Sequence, residues 1–307
     1  MTGLFSFAQE QDTTWTSQVS FGANGTQSSF VNWNAGGRNN ISVQGLISAT
    51  ARYAKKKTTW VNYLVLGLGG LQYIGAGSGE ESLQKTDDRI EIGTIYGRKI
   101  KNKKLYSSFF ASFKTQFIDG FNYPNDSVRV STFMAPGYVN LGYGIDYKPT
   151  KHLSLFISPL SSKMTFVNDQ VLANAGSFGV EGAEYNSNGD IIAEGKRFRG
   201  EFGAYFKMNY KKEIVKNITM SSTLDLFSNY LDRPQNIDVN ADVLFNFKVN
   251  GWFSASLNWT LLYDHDIDIR DDKGGVGPRT QFKSVLGLGV SYTVKNREEP
   301  EKPDSKK

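Results

Sequence analysis

Asp264, Asp266 and Asp268 stand at every second position, and with His265 between the first two they are the densest group of chemically capable side chains in the sequence. Carboxylates spaced in this way open calcium-binding loops. The rest of such a loop is missing, because Ile269 stands where glycine must turn and Gly275 where a bidentate glutamate must close. A Ser–His–Asp relay needs hydrogen-bond contact between its members. The chain has two histidines, His152 beside a basic turn and His265 in the acidic stretch, and the Ser187-Asn188-Gly189 segment reads as a hairpin tip. Two histidines and no cysteine fall short of the three or four ligands usual for zinc. Gly67, Gly69 and Gly70 do not complete a dinucleotide loop. We therefore expect no enzyme, no catalytic residues, no metal site and no cofactor.

The elements that carry these residues are strands. Between Ile237 and Val249 every odd residue is apolar, while Asp238, Asn240, Asp242, Asn246 and Lys248 fill all but one of the even positions. Such alternation is a two-faced strand. It recurs from Trp15 to Val294, with short basic turns and long acidic loops taking strict turns between copies. One set, Leu153, Leu155 and Ile157, stops short of a loop drawn from 161 to 196. Another stretch, Trp60 to Tyr73, is apolar on both faces and its direction stays open. The count is about twelve, an even number. The reading is all-β: an antiparallel up-and-down transmembrane β-barrel.

Period alone does not say which face meets lipid, since soluble barrels alternate too. Length argues for a membrane: from Phe198 to Tyr210 the strand advances about 30 Å along the normal at ~3.3 Å per residue and a tilt of roughly 40°. Aromatics argue the same, with Tyr53, Tyr147, Tyr210 and Tyr292 at turn ends and Phe117, Phe198, Tyr230 and Tyr263 at loop ends, as interfacial girdles require. No apolar run approaches the ~18–20 residues of a membrane helix.

The net charge of +5 hides a dipolar molecule, basic at Lys55, Lys56 and Lys57 and acidic in the loops. Basic turns suit anionic lipid headgroups, whereas nucleic acid would need one basic face with stacking aromatics. We expect an outer-membrane protein with short turns and both termini periplasmic and long loops extracellular. Its partners would be outer-membrane lipid and another envelope protein reached through the loops. Residues 1–8 read as the remnant of a signal peptide, 9–295 as the barrel and 296–307 as a charged, disordered tail.

Phe30, Asn32, Trp33, Gly36 and Gly37, the stretch Asp225 to Asp238, and Tyr263 with Asp264, Asp266 and Asp268 resemble an uncharacterised family of Bacteroidota outer-membrane barrels, a domain of unknown function. The resemblance implies a porin-like barrel in the cell envelope and supplies no reaction or ligand. Twelve strands also resemble the size class of the outer-membrane phospholipase, with its His-x-Ser-Asn-Gly motif. Here Tyr185 replaces that histidine, which leaves a membrane lipid hydrolase as the remotest reading.

Inward parity gathers Arg89, Glu91, Arg199, Glu201, Asp238 and Asp242, charges of both signs that could pair across a narrow lumen. The Asp264, Asp266 and Asp268 ladder would edge the extracellular mouth. Phe30, Trp33, Gly36 and Gly37 form a loop suited to a partner. A structural or accessory barrel with a largely filled lumen comes first; a small-solute channel with an acidic mouth is the alternative.

Overall fold

The computed structural model describes residues 15–29, 39–74, 83–100, 104–122, 125–270 and 275–296. The alternating segments become twelve long strands: β1 (Trp15–Ser28), β2 (Asn40–Lys55), β3 (Thr58–Tyr73), β4 (Gln84–Lys99), β5 (Leu105–Thr115), β6 (Gly137–Tyr147), β7 (Leu153–Phe166), β8 (Phe198–Val215), β9 (Ile218–Asn229), β10 (Ile237–Lys248), β11 (Phe253–Tyr263) and β12 (Gln281–Lys295). Each pairs with its chain neighbour, and β1 pairs with β12, so the sheet is a closed antiparallel barrel. The β1–β2 ladder runs from Trp15–Tyr53 to Ser28–Asn40, whereas the closing seam runs only from Gln18–Lys295 to Gly25–Leu288. Short turns join strands at one end. In the Lys216-Asn217 turn, Asn217 takes φ +65°, a left-handed backbone that asparagine tolerates.

The apolar set points out. Phe282, Leu286 and Tyr292 are 65%, 64% and 70% exposed, and the same face continues through Val243, Trp259 and Ile92. A soluble barrel would bury this face; an apolar exterior of such extent is stable against hydrocarbon. Aromatic rings meet at both ends of the wall. Trp15 lies 5.4 Å from Tyr53 and 5.6 Å from Trp60 at the turn end, and Phe166 lies 5.2 Å from Phe198 at the loop end.

Two strands depart from simple parity. In β3, Trp60 and Leu68 face out, which assigns Tyr63 and Val65 to the lumen. Tyr63 lies across Gly93 of β4, where a Cβ would come within 2.3 Å of its ring. In β7, Tyr143 of β6 faces Leu160 while Ile145 faces Ile157, so β7 takes one extra residue. That residue belongs to a bulge at Pro159, which lacks the N–H a regular ladder would use. The bulge inverts parity: Ile157 and then Leu160 face out, and Lys163 faces in. The expectation of a loop over 161–196 is thereby corrected. β7 continues to Phe166, and the connection covers only 167–197.

That connection is folded. Asp169 caps a short helix, α1 (Gln170–Asn174), by accepting from the Leu172 N–H at 3.0 Å. Val167, Leu172, Ala173 and Val180 pack with Ala135 into a small core over the rim. Beyond it a hairpin pairs Glu184–Tyr185 with Ile191–Ala193, and its tip is Ser187-Asn188-Gly189, with Gly189 at φ +87°.

Candidate functional site

Inversion of parity at Pro159 places Lys163 inside the loop end of the barrel, opposite Glu201 of β8 in register. Its Nζ lies 2.6 Å from Asp238 of β10, 2.8 Å from Asp264 and 3.8 Å from Glu201. The ammonium also sits 5.8 Å from the centre of the buried Phe227 ring. Arg199 extends the cluster. It donates to Glu201 at 3.0 Å, to the Asp266 carboxylate and to the Gly179 carbonyl at 2.9 Å. Gly179 takes φ +79°, and a Cβ there would come within 2.5 Å of the Arg199 guanidinium, so glycine is what lets the loop reach this far in.

The aspartates after β11 are therefore not a ladder on a continuing strand. β11 ends at Tyr263, and Asp264 turns the chain by accepting the Asp266 N–H at 3.0 Å. Asp264 and Asp266 point into the cluster, while Asp268 is exposed on a short hairpin with Val276–Pro278. Burial pushes the Asp264 carboxyl up, but Lys163 and the Asp266 N–H outweigh burial and hold it below the ordinary carboxylate range. Arg199, Glu201, Arg233, His265, Asp266 and Asp268 line a polar recess of about 760 Å³ that remains beside the cluster.

Deeper in, aromatic side chains fill one side. Phe110, 2% exposed, stacks on Tyr205 at 5.4 Å, and Phe156 approaches both. Lys207 stands 5.6 Å above Phe110 and pairs with Asp225 at 3.0 Å, while the Tyr205 hydroxyl donates to the same carboxylate. On the opposite wall, Lys283 of β12 meets Asp87 of β4 at 3.3 Å, and Gln44 donates to Asp87 at 2.6 Å.

Of the lumen residues expected from parity, Arg199, Glu201 and Asp238 converge on one network. Asp242 accepts instead from Thr260 at 2.7 Å. Arg89 and Glu91 lie on β4 opposite Gly67 and Val65, and neither forms an ion pair among the described residues. Phe30, Trp33, Gly36 and Gly37, with residues 1–8 and most of the tail, fall outside the described residues. The histidines lie at opposite ends. His152 contacts the Lys211 carbonyl at 2.9 Å by a turn, and His265 contacts the Tyr263 hydroxyl at 3.1 Å beyond β11. Parity alone misses Lys163 and the inward rings of Phe110, Phe156 and Phe227. The available signal was Pro159 followed by apolar Leu160, Met164 and Phe166 on the other parity.

No curated protein matches the sequence. Among solved structures, the translocator domain of the autotransporter NalP from Neisseria meningitidis is 11% identical, with 92% of this chain and 90% of that chain covered and a TM-score of 0.37. An outer-membrane channel from Pseudomonas putida F1 is 12% identical over 91% and 95%, with a TM-score of 0.39. The P. putida toluene transporter TodX is 12% identical over 94% and 81%, with a TM-score of 0.32. The overlaps are low, and the barrel rests on its own strand pairing. The segment from the end of β1 through β5, residues 26–121, matches the family described as "Protein of unknown function (DUF3078)".

Proposed function

We propose that this chain is an integral outer-membrane barrel with a non-enzymatic structural or accessory role and a largely filled lumen. The supporting observation is that paired charge crosses the interior. Lys163 joins β7 to β10 and to the segment after β11, and Lys283 joins β12 to β4. Charges in so narrow a space persist when paired, and paired side chains that span a lumen obstruct it. The residues of the first long loop support a Bacteroidota envelope through the family they resemble. Basic turns and acidic loops support turns and termini on the periplasmic side and long loops outside. The loops, including Phe30 and Trp33, are the surface through which an envelope partner would bind.

The test is reconstitution of full-length protein in planar bilayers with parallel pull-down from native membranes. Little or no steady conductance and a stoichiometric partner are expected. Stable cation-selective steps would replace this reading with the channel. One observation favours that second reading: in the recess, Glu181, Glu201, Asp232, Asp266 and Asp268 outnumber Lys196, Arg199 and Arg233, a surplus that attracts cations.

A further inference from the structure

The outer wall of β1 to β5 carries a trough at one level. Because neighbouring strands are in continuous register over their turn-side halves, outward residues there fall in rows along the hydrogen-bond direction. Nearest the turns runs Lys55, Thr58, Arg98, Ser107. Next comes the aromatic row Trp15, Tyr53, Trp60, Tyr96, Phe109. The third row is small: Ser17, Ala51, Asn62, Thr94, Ala111. The fourth is again mostly large: Val19, Ala49, Leu64, Ile92, Phe113. Small side chains between two rows of larger ones leave a groove of about 650 Å³ with an almost wholly apolar lining. Across four strand spacings of ~4.8 Å it extends roughly 19 Å around the wall.

A polar chain is set into this lipid-facing groove. The Trp60 indole donates to the Thr94 hydroxyl at 2.7 Å, and that hydroxyl donates to Asn62 Oδ1 at 2.8 Å. Among the described residues the Asn62 amide nitrogen, which has two protons to donate, has no acceptor. Polar groups facing hydrocarbon are costly unless a partner satisfies them. Lys55 and Arg98, both exposed, stand on the same face, two residues nearer the turns than Tyr53 and Tyr96.

We propose that the trough is a fixed seat for one anionic glycerophospholipid of the turn-side leaflet. Its phosphate lies on Lys55 and Arg98, an ester carbonyl accepts from Asn62, and one acyl chain lies along Ala51 to Ala111. Charge selects this occupant over a second copy of the chain, since two such faces would bring Lys55 and Arg98 against their own likeness. The proposal rests on the membrane-spanning reading, and the test separates the two.

Full-length protein is extracted from outer membranes in mild non-ionic detergent and weighed intact by native mass spectrometry. One retained phospholipid is expected. Ala111→Phe, which fills the trough, and Lys55→Gln with Arg98→Gln should each lower its occupancy on the order of tenfold, while Leu257→Phe on the far wall leaves it unchanged. Wild-type protein in nanodiscs should retain phosphatidylglycerol on the order of tenfold over phosphatidylcholine, a comparison that holds even if a variant fails to fold. Lipid-free wild type, adducts indifferent to all three changes, equal retention of the two lipids, or a dimer that Ala111→Phe dissociates overturns the seat. If folded protein is in the membrane fraction, the seat alone fails; if it is recovered as a soluble protein, the membrane reading fails and takes the seat with it.

Discussion

Lys163 of β7 and Asp264 just past β11 meet at 2.8 Å although four strand positions separate β7 from β11 around the ring. The contact is a chord, not a rung. Neighbour pairing fixes the circumference of a barrel, and a chord ties loop to wall and limits how far the loop end can widen.

Replacing Lys163 by Met should leave Glu201, Asp238 and Asp264 facing one another without their shared cation. The expected loss is roughly 3 kcal/mol, since removing one partner strands buried charge. Guanidinium unfolding in detergent micelles measures it. Adding Asp238→Asn and Asp264→Asn should restore most of the stability, and a variant no less stable than wild type would show that the chord contributes nothing.

Outward and inward positions of β10 should respond oppositely to arginine. Val243→Arg puts a guanidinium into hydrocarbon at a cost of roughly 2–4 kcal/mol. Asn240→Arg faces the lumen opposite Asp225 and avoids that penalty. The yield of heat-modifiable folded band on unheated gels discriminates them; equal losses contradict the assignment of faces.

Gly144 should be intolerant of any side chain. A Cβ there would come within 2.0 Å of the Ile157 carbonyl, where β6 packs against the Pro159 bulge. Gly144→Ala should cost about 1–3 kcal/mol through forced backbone movement, whereas Gly251→Ala meets nothing within 4 Å. Melting temperatures in micelles should separate the pair.

Acid should release the segment after β11. The Asp264 carboxyl is held below its ordinary value of 3.8 in the folded protein, so its contribution is full above that value and is lost as pH falls below it towards the folded pKa. Because the chain has no cysteine, Asp268→Cys can be spin-labelled alone. The label should gain mobility only below about pH 4, the ordinary carboxylate range. In an Asp264→Asn background it should be mobile already at neutral pH, and identical profiles for the two proteins would exclude Asp264 as the tether.

The barrel was legible in the sequence because one physical rule, apolar outward at every second residue, governs nearly every strand from Trp15 to Val294. The rule fails where chemistry gathers. Pro159 breaks the period, so Lys163 reads as loop although it sits at the centre of the charge network. In β3, Val61 and Val65 make the lumen face as apolar as the lipid face, and no periodicity can orient it. Phe109 and Phe110 are adjacent aromatics, one outside and one in the lumen, and composition treats them alike. Chords such as Lys163–Asp264 and Lys283–Asp87 depend on which strands end up opposite after closure, which no local pattern encodes.

Among the described residues the closed ladder leaves the barrel wall no edge strand, so none of its strands can peel away by breaking a single row of hydrogen bonds. Losing any one of them breaks two rows and bares both to hydrocarbon, where nothing replaces the lost bonds. Persistence then becomes a matter of rate, because a high barrier, more than a deep equilibrium, keeps the ring shut. The seam between β1 and β12, with its ladder ending at Gly25–Leu288, is the shortest described row of the ring and so sets the fewest hydrogen bonds against opening.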